Sequence, residues 1–277
     1  MKDLREYGFL TDNKVYMVAE IGLNHNGSLK SAKELIDSAS RAGVDAVKFQ
    51  TYITEKRAAK DSPIFDILKK CELPFEAFRE LKAHSEKRNM QFFSTPFDEE
   101  SVDFLQGIGC AIFKVASFDV VNHRLLRKVA DTKKTVILSV GMANLPEIEE
   151  AYKILRNKTK NIAILHCVSA YPLKEEDANL AAISTLRNGF DCVVGYSDHT
   201  AGISVPLYAV ASGAQIIEKH YRISGDMDCV DAPVSITEEE MKKLIFEIRR
   251  LERIMGNKEL RLRQAEKGTQ VFRRPNK

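Results

Sequence analysis

Two consecutive apolar runs end on histidine. "DCVVGYSDHT" (191–200) closes on His199, and "AQIIEKHY" (214–221) closes on His220. If both runs are strands of one parallel sheet, they lie about 4.8 Å apart and their imidazoles can reach one cation. No third His or Cys stands at structural-zinc spacing. Such a site is open, with water and substrate oxygens completing it, which suits Mn²⁺ first and Mg²⁺ or Co²⁺ as alternatives. Two lysines, Lys48 and Lys114, also fall at the ends of apolar runs, where an ammonium group is costly unless an anion meets it. Hydroxyls gather at the same level of other runs: Ser94, Thr95, Ser117, Ser139, Ser169 and Ser197. Any one of them has an equally good structural role on a neighbouring carbonyl. As a set, with the two lysines and loop amides, they compose a cradle for a phosphate.

Further polar groups end the remaining runs or follow them: Glu20, Asn24, Gln50, His166, Tyr171, Glu218 and Asp231. His166 reads as a polar wall residue. His25 either lines the same mouth or belongs to a turn, "NHNG", since Asn and Gly favour such conformations. Asp198 either holds His199 through its other ring nitrogen or caps the loop. His84 and His123 fall in helical or loop patterns and read as exposed surface.

The elements that must position these groups form a repeat. The apolar runs are 15–22, 45–51, 91–96, 111–117, 135–141, 161–169, 191–198 and 214–221, rich in Val, Ile and Phe and several nearly continuous, as expected for strands buried on both faces. Amphipathic helical patterns separate them, one opening at Ser28 and stopping at Gly43, and the last an acidic-first segment, "TEEEMKKLIFEIRRLERIMG". Eight strand–helix units predict a single-domain α/β fold, a (β/α)8 TIM barrel over 15–256, with an N-terminal extension at 1–14 and a basic C-terminal tail or linker at 257–277. An open doubly wound sheet is the alternative. The stretch 52–73 is expected as a longer loop with a short helix. In a barrel, active sites sit at the C-terminal ends of the strands, where the polar groups above collect.

Composition narrows the classes. The 277 residues carry 42 Lys and Arg against 39 Asp and Glu, a net charge of +3 that gives nucleic acid no basis. There is no run of about 18 apolar residues to span a membrane and no apolar core in "MKDLREYGFL" for a signal peptide. The five cysteines, Cys71, Cys110, Cys167, Cys192 and Cys229, are an odd number at irregular spacing, which predicts reduced thiols and a cytoplasmic protein.

The motifs "AEIGLNHNG", "VKFQTY", "FFSTPFD", "FKVASFD", "ILSVGMA", "LHCVSAYP", "GYSDHT" and "IIEKHY" cover most of 15–221. In this order they resemble the N-acetylneuraminate (sialic acid) synthase family of phosphoenolpyruvate-dependent condensing enzymes. The resemblance implies that Lys48, Thr95, Lys114, Ser117, Ser139 and Ser197 hold phosphoenolpyruvate. It implies that His199 and His220 bind a divalent metal, usually Mn²⁺, and that Glu20, Gln50, Tyr171 and Asp231 face an acceptor aldose. Glu20 is then the candidate for orienting the sugar and handling protons, with Asp231 the second carboxylate. A homodimer is expected. "LRLRQAEKGTQVFRRPNK" resembles the segment leading into the family's C-terminal antifreeze-like domain, which covers the partner's barrel and supplies an arginine to the sugar's N-acetyl group. That arginine is absent from these 277 residues. Ala232 stands where the family carries a His after the Asp. Both departures fall on the sugar side, so the phosphoenolpyruvate half is expected intact and the acceptor is open. The rivals are another 3-deoxy-ulosonate synthase, which needs further cations for a second phosphate, and a non-catalytic sugar-phosphate sensor.

Overall fold

The structure is a computed structural model that describes residues 2–10, 14–257 and 259–275. The remaining positions of the expected extension and tail lie outside the described residues. Eight parallel strands close in sequence order: β1 (Tyr16–Gly22), β2 (Ala46–Thr51), β3 (Gln91–Pro96), β4 (Ile112–Val115), β5 (Thr135–Ser139), β6 (Ile162–Cys167), β7 (Val193–Asp198) and β8 (Ile216–His220). β8 pairs back onto β1, so the barrel has no open edge and the doubly wound alternative is excluded. The helices are α1 (Leu29–Ala42), α2 (Thr54–Arg57), α3 (Phe65–Cys71), α4 (Phe75–Glu86), α5 (Glu99–Gly107), α6 (His123–Asp131), α7 (Leu145–Arg156), α8 (Ala182–Gly189), α9 (Ser204–Ala211) and α10 (Glu238–Met255). Among the described residues, no helix is long and apolar enough to cross a membrane.

Local chemistry sets the helix ends. Ser28 caps α1 by accepting from Ser31 N, and Gly43 ends it with φ +84°. Asn144 with Glu147 and Thr237 with Glu240 form reciprocal capping boxes on α7 and α10. The excursion after β2 holds two short helices, α2 and α3, where one was expected.

Inward-facing positions follow the two-residue strand period. Tyr16, Val18, Ala46, Phe93, Ile112, Ile137, Ala163, Leu165, Val193 and Ile216 fill the lower barrel as one cluster. Leu4 and Phe9 join it, so the N-terminal segment packs into the barrel instead of standing off it. Burial of each Val, Leu, Ile or Phe among them contributes about 1.5–3 kcal/mol. Gly195 is an inward position where a Cβ would lie only 2.6 Å from Leu165 Cδ2, so the close-packed floor requires glycine there. A second, larger cluster binds the helices to the outside of the barrel. Continuing each inward series by two residues leads from the apolar floor to Glu20, Lys48, Thr95, Lys114, Ser139, Cys167, Ser197 and Glu218. The chemistry therefore begins where the hydrophobic floor stops.

Candidate active site

A cavity of about 240 Å³ opens at this level, large enough for a small polar ligand and not merely a few waters. Twelve of the thirteen residues expected in the site line it. Glu20, Lys48, Gln50, Thr95, Lys114, Ser139, Ser197 and His220 come from the strands, whereas Ser117, Tyr171, His199 and Asp231 come from the segments that follow them. Ser169 is not among the lining residues. Its hydroxyl is buried without a hydrogen-bond partner, behind Gly141, where a Cβ would come within 2.5 Å of it.

The centre of the cluster is Glu218. It accepts from Ser197 Oγ at 2.9 Å, and its Oε1 lies 3.1 Å from Lys48 Nζ and 3.7 Å from Lys114 Nζ. Lys48 also pairs with Glu20 Oε2 at 2.9 Å, and Lys114 donates to Ser139 Oγ at 2.7 Å and to Val115 O at 3.1 Å. Burial alone would raise the Glu218 carboxyl, but the Lys114 and Lys48 ammonium groups carry it down to about 2. Burial lowers Lys48 to about 8, opposed by Glu218. The expectation that two buried lysines await a ligand anion is therefore corrected in part. Lys48 already has two carboxylate partners, while Lys114 holds a hydroxyl and a carbonyl and has only Glu218, at longer range. Glu218 Oε2 is buried with no hydrogen-bond partner, a position that a ligand or water proton can fill. Beside Lys114 the backbone N–H of Gly141 donates to Ser117 Oγ at 2.9 Å, which fixes that hydroxyl at the cavity wall.

The two histidines meet above this cluster. Their ring centroids are 5.5 Å apart, with the Tyr171 ring 4.0 Å from His199. His199 Nδ1 donates to Val168 O at 2.9 Å, which leaves the lone pair on Nε2. Burial, with the neighbouring His220, takes His199 down to about 3, so its imidazole is neutral at physiological pH. His220 Nδ1 lies 3.3 Å from Asp231 Oδ2. This donor set fits a divalent ion only as an open site: among the described residues, no group of three or more His, Cys, Asp and Glu forms a ligand cluster.

Several single-residue expectations change. Asp198 does not touch His199. It points out of the barrel, where its carboxylate pairs with Lys219 Nζ at 2.6 Å and accepts from Thr200 Oγ1, so it is a buried structural ion pair that ties β7 to β8. His166 Nε2 bonds Ala178 O at 2.8 Å and lies outside the cavity lining. Ser94 shares a hydrogen bond with Thr51 Oγ1 at 2.7 Å on the outer face of the barrel. His25 is buried, stacks on Phe49 and accepts from Gly27 N through Nδ1, which settles it as part of its turn. Asn24 anchors the β8 loop, donating to Tyr221 O and Ser235 Oγ and accepting from Asp231 N.

Sequence reasoning missed Arg57, Cys167 and Phe97, all of which line the cavity, and named Glu218 without giving it a role. The strand period points to Cys167 and Glu218. Nothing in the sequence points to Arg57, which stands at the end of α2.

Residues 35–260 match the NeuB family model. The chain is 42% identical over 261 residues to an N,N'-diacetyllegionaminic acid synthase of Campylobacter jejuni, covering 88% of this chain and 78% of that one. It is 32% identical to the N-acetylneuraminate-9-phosphate synthase of Mus musculus, covering 87% of this chain and 71% of that one. The crystal structure of an N-acetylneuraminic acid synthetase from Leptospira borgpetersenii superposes with a TM-score of 0.91 at 42% identity, over 94% of this chain and 91% of that one. A closed parallel barrel that ends in this polar ring, matched by the family model over most of its length, belongs to the NeuB family of sialic-acid-synthase-like proteins.

Proposed function

We propose that this chain is a phosphoenolpyruvate-dependent synthase. It joins phosphoenolpyruvate to the open-chain form of an N-acetylmannosamine-type aldose and releases a nonulosonic (2-keto-3-deoxy) acid and inorganic phosphate. The observation that carries this reading is one cavity holding two parts: a lysine–hydroxyl cluster around Glu218, and a pair of neutral imidazoles above it.

Lys114, Ser139 and Ser117 supply the donors for the phosphate, and Lys48 and Thr95 those for the carboxylate. Held in this way, C3 of phosphoenolpyruvate attacks the aldehyde carbon. The new C–C bond forms with the enol π electrons, and the aldehyde oxygen takes up a proton. Water adds to C2 and gives up one proton to form the hemiketal phosphate; the C2–O bond to phosphate then breaks with its electron pair leaving on phosphate, and phosphate takes up the remaining hydroxyl proton as the C2 ketone forms. Glu20 contacts Gln50 and Lys48, and in this reading it orients the sugar hydroxyls and receives a proton. Asp231 holds the His220 ring from the Nδ1 side. His199 and His220 would hold a divalent cation, Mn²⁺ first among candidates, whose chemistry is to polarise the aldehyde oxygen.

The test is phosphate release from phosphoenolpyruvate with Mn²⁺ and a panel of N-acetylmannosamine, mannose and diamino sugars. Release only when both aldose and metal are present is expected. Release that is indifferent to aldose, or absent with every aldose, would overturn the reading. His199→Ala should lower turnover by about 10³-fold or more if the imidazole holds the cation; full activity in chelator-treated buffer would remove the metal assignment.

A further inference from the structure

Each of the two histidines is preceded in the chain by a buried charge. Asp198 stands before His199 and Lys219 before His220. Both charged side chains are fully buried on the outer face of the barrel, and their ion pair measures 2.6 Å. The ladder between β7 and β8 runs Tyr196↔Ile217, Ser197↔Glu218, Asp198↔Lys219. Asp198 and Lys219 are therefore the last register pair, and His199 and His220 follow one step further on. At that step the ladder between the two strands no longer fixes their distance.

Lys219 supplies what the ladder lacks. Its Nζ donates to Asp198 Oδ2 and to Thr200 O, so one ammonium group holds the residues on both sides of His199. Asp198 Oδ1 closes the same turn by accepting from Thr200 N at 3.1 Å and from Thr200 Oγ1 at 2.9 Å. The rings are oriented separately, His199 by Val168 O and His220 by Asp231. Those contacts turn each imidazole but do not tie one strand end to the other.

Stability alone is a weak reason for such a pair. Removing two charges from water costs about what their attraction returns, and apolar replacements of similar size are often as stable. The property that an ion pair adds is registry, because it is satisfied in one alignment, whereas apolar groups tolerate a slip. The ladder below has its own fixed points. Ser197 donates to Glu218, and Gly195 packs so close to Leu165 and Ile216 that no Cβ fits there. What the pair aligns in addition is the next step, where the two imidazole centroids lie 5.5 Å apart.

We propose that Asp198 and Lys219 are positioning residues for the metal site: from outside the barrel their ion pair sets the spacing of His199 and His220, and thereby the affinity for the divalent cation. This rests on the synthase reading above. It adds that cation affinity is set in part by two residues that touch neither cation nor substrate.

The experiment measures calorimetric binding of Mn²⁺ alone, and of phosphoenolpyruvate in metal-free buffer, to wild type and to the double variant Asp198→Asn/Lys219→Met. Either single variant leaves a lone buried charge that can unfold the chain, so the double variant, which removes both charges, decides. Its Kd for Mn²⁺ should rise by about 10- to 100-fold, as for other groups that orient metal ligands without touching the metal. Its Kd for phosphoenolpyruvate should change by no more than about twofold, since the lysine–hydroxyl cluster is held by its own bonds. The denaturation midpoint should stay close to that of wild type. A folded double variant that binds Mn²⁺ as wild type does would overturn the proposal. Equal losses of Mn²⁺ and phosphoenolpyruvate affinity would overturn it too, by showing general loosening of the barrel mouth. So would a double variant that does not fold, because the pair would then hold the barrel as a whole. Wild type that binds phosphoenolpyruvate but no Mn²⁺ would instead strike the metal assignment of the synthase reading, and the positioning role with it.

Discussion

The two halves of the cavity are built differently. The lysine–hydroxyl half consists mostly of strand residues: Lys48, Lys114, Ser139, Ser197 and Glu218 continue the inward series of the barrel floor and are bonded to one another. The half proposed to take the acceptor depends on segments beyond the strands. Arg57 comes from α2, Tyr171 from the loop after β6, and Asp231 from the loop after β8, whose backbone Asn24 holds while its carboxylate faces His220 and the Leu23 amide. In the first half binding groups are also structural groups. In the second, backbone anchors and functional side chains are separate, so side chains can change without loosening the fold. If the proposed division of substrates holds, a change of acceptor has a physical route that leaves the lysine–hydroxyl half alone.

The largest expected effect tests the interlocked half. Glu218→Ala leaves Lys48 with Glu20 alone and Lys114 with no carboxylate within ion-pair distance, both still buried. Breaking a buried ion pair from one side costs about 3–5 kcal/mol. Chemical denaturation should register a loss of this size together with loss of activity. Unfolding stability equal to wild type would show that the cluster is not part of what holds the barrel closed, and the contrast between the halves would fail.

A smaller effect is expected on the acceptor side. Asp231→Asn keeps the backbone bonds to Asn24 and Ser235 and removes the charge that faces His220 Nδ1 and acts through space on His25 and Arg57. Partners behind a ligating imidazole are typically worth about 10- to 100-fold in activity or metal affinity. Stability should shift by less than about 0.5 kcal/mol, as for changes that leave packing intact. A Tm drop comparable to that of Glu218→Ala would place Asp231 in the fold and not in the chemistry.

This division also explains what was legible from residue order. Strand positions obey a period of two, so an apolar series ending in Lys48, Lys114, Ser139 or Ser197 announces both its direction and its depth. His199 and His220 were legible because each terminates its run at the same level. Cross-strand facts were not. Asp198 and Lys219 are both visible as polar interruptions, yet their pairing depends on a register that sets them opposite each other on the outer face. Lys48 reads as awaiting an anion because nothing in its own segment shows that Glu218, two strands away around the barrel, already meets it. Arg57 was illegible for a further reason. Its position depends on Asp98 and Glu72, which are remote in sequence and fix a turn that periodicity cannot detect.

The smallest expected effect concerns a loop residue that belongs to the fold, and it marks where the contrast between halves has an exception. His25 follows β1 on the acceptor side, but it is buried against Phe49 and holds the Gly27 amide. Burial lowers its imidazole to about 4, with Asp231 opposing in part. A folded-state value below the unfolded one means that the unfolded chain binds the proton first. The stability His25 contributes is then fully present above about pH 6.5 and is lost progressively as the pH falls toward 4. At pH 6 the loss is less than about 1 kcal/mol by linkage. Replacement by Asn keeps a hydrogen-bond acceptor near the Gly27 amide while removing the titration. The difference in unfolding free energy between wild type and His25→Asn should therefore narrow steadily from pH 7 to pH 5, even though every other titrating group is common to both. A difference that stays constant across that range would mean the ring takes up its proton in the folded protein as easily as in water. In that case His25 would line the mouth as a solvated group, and the acceptor half would lack this fixed point.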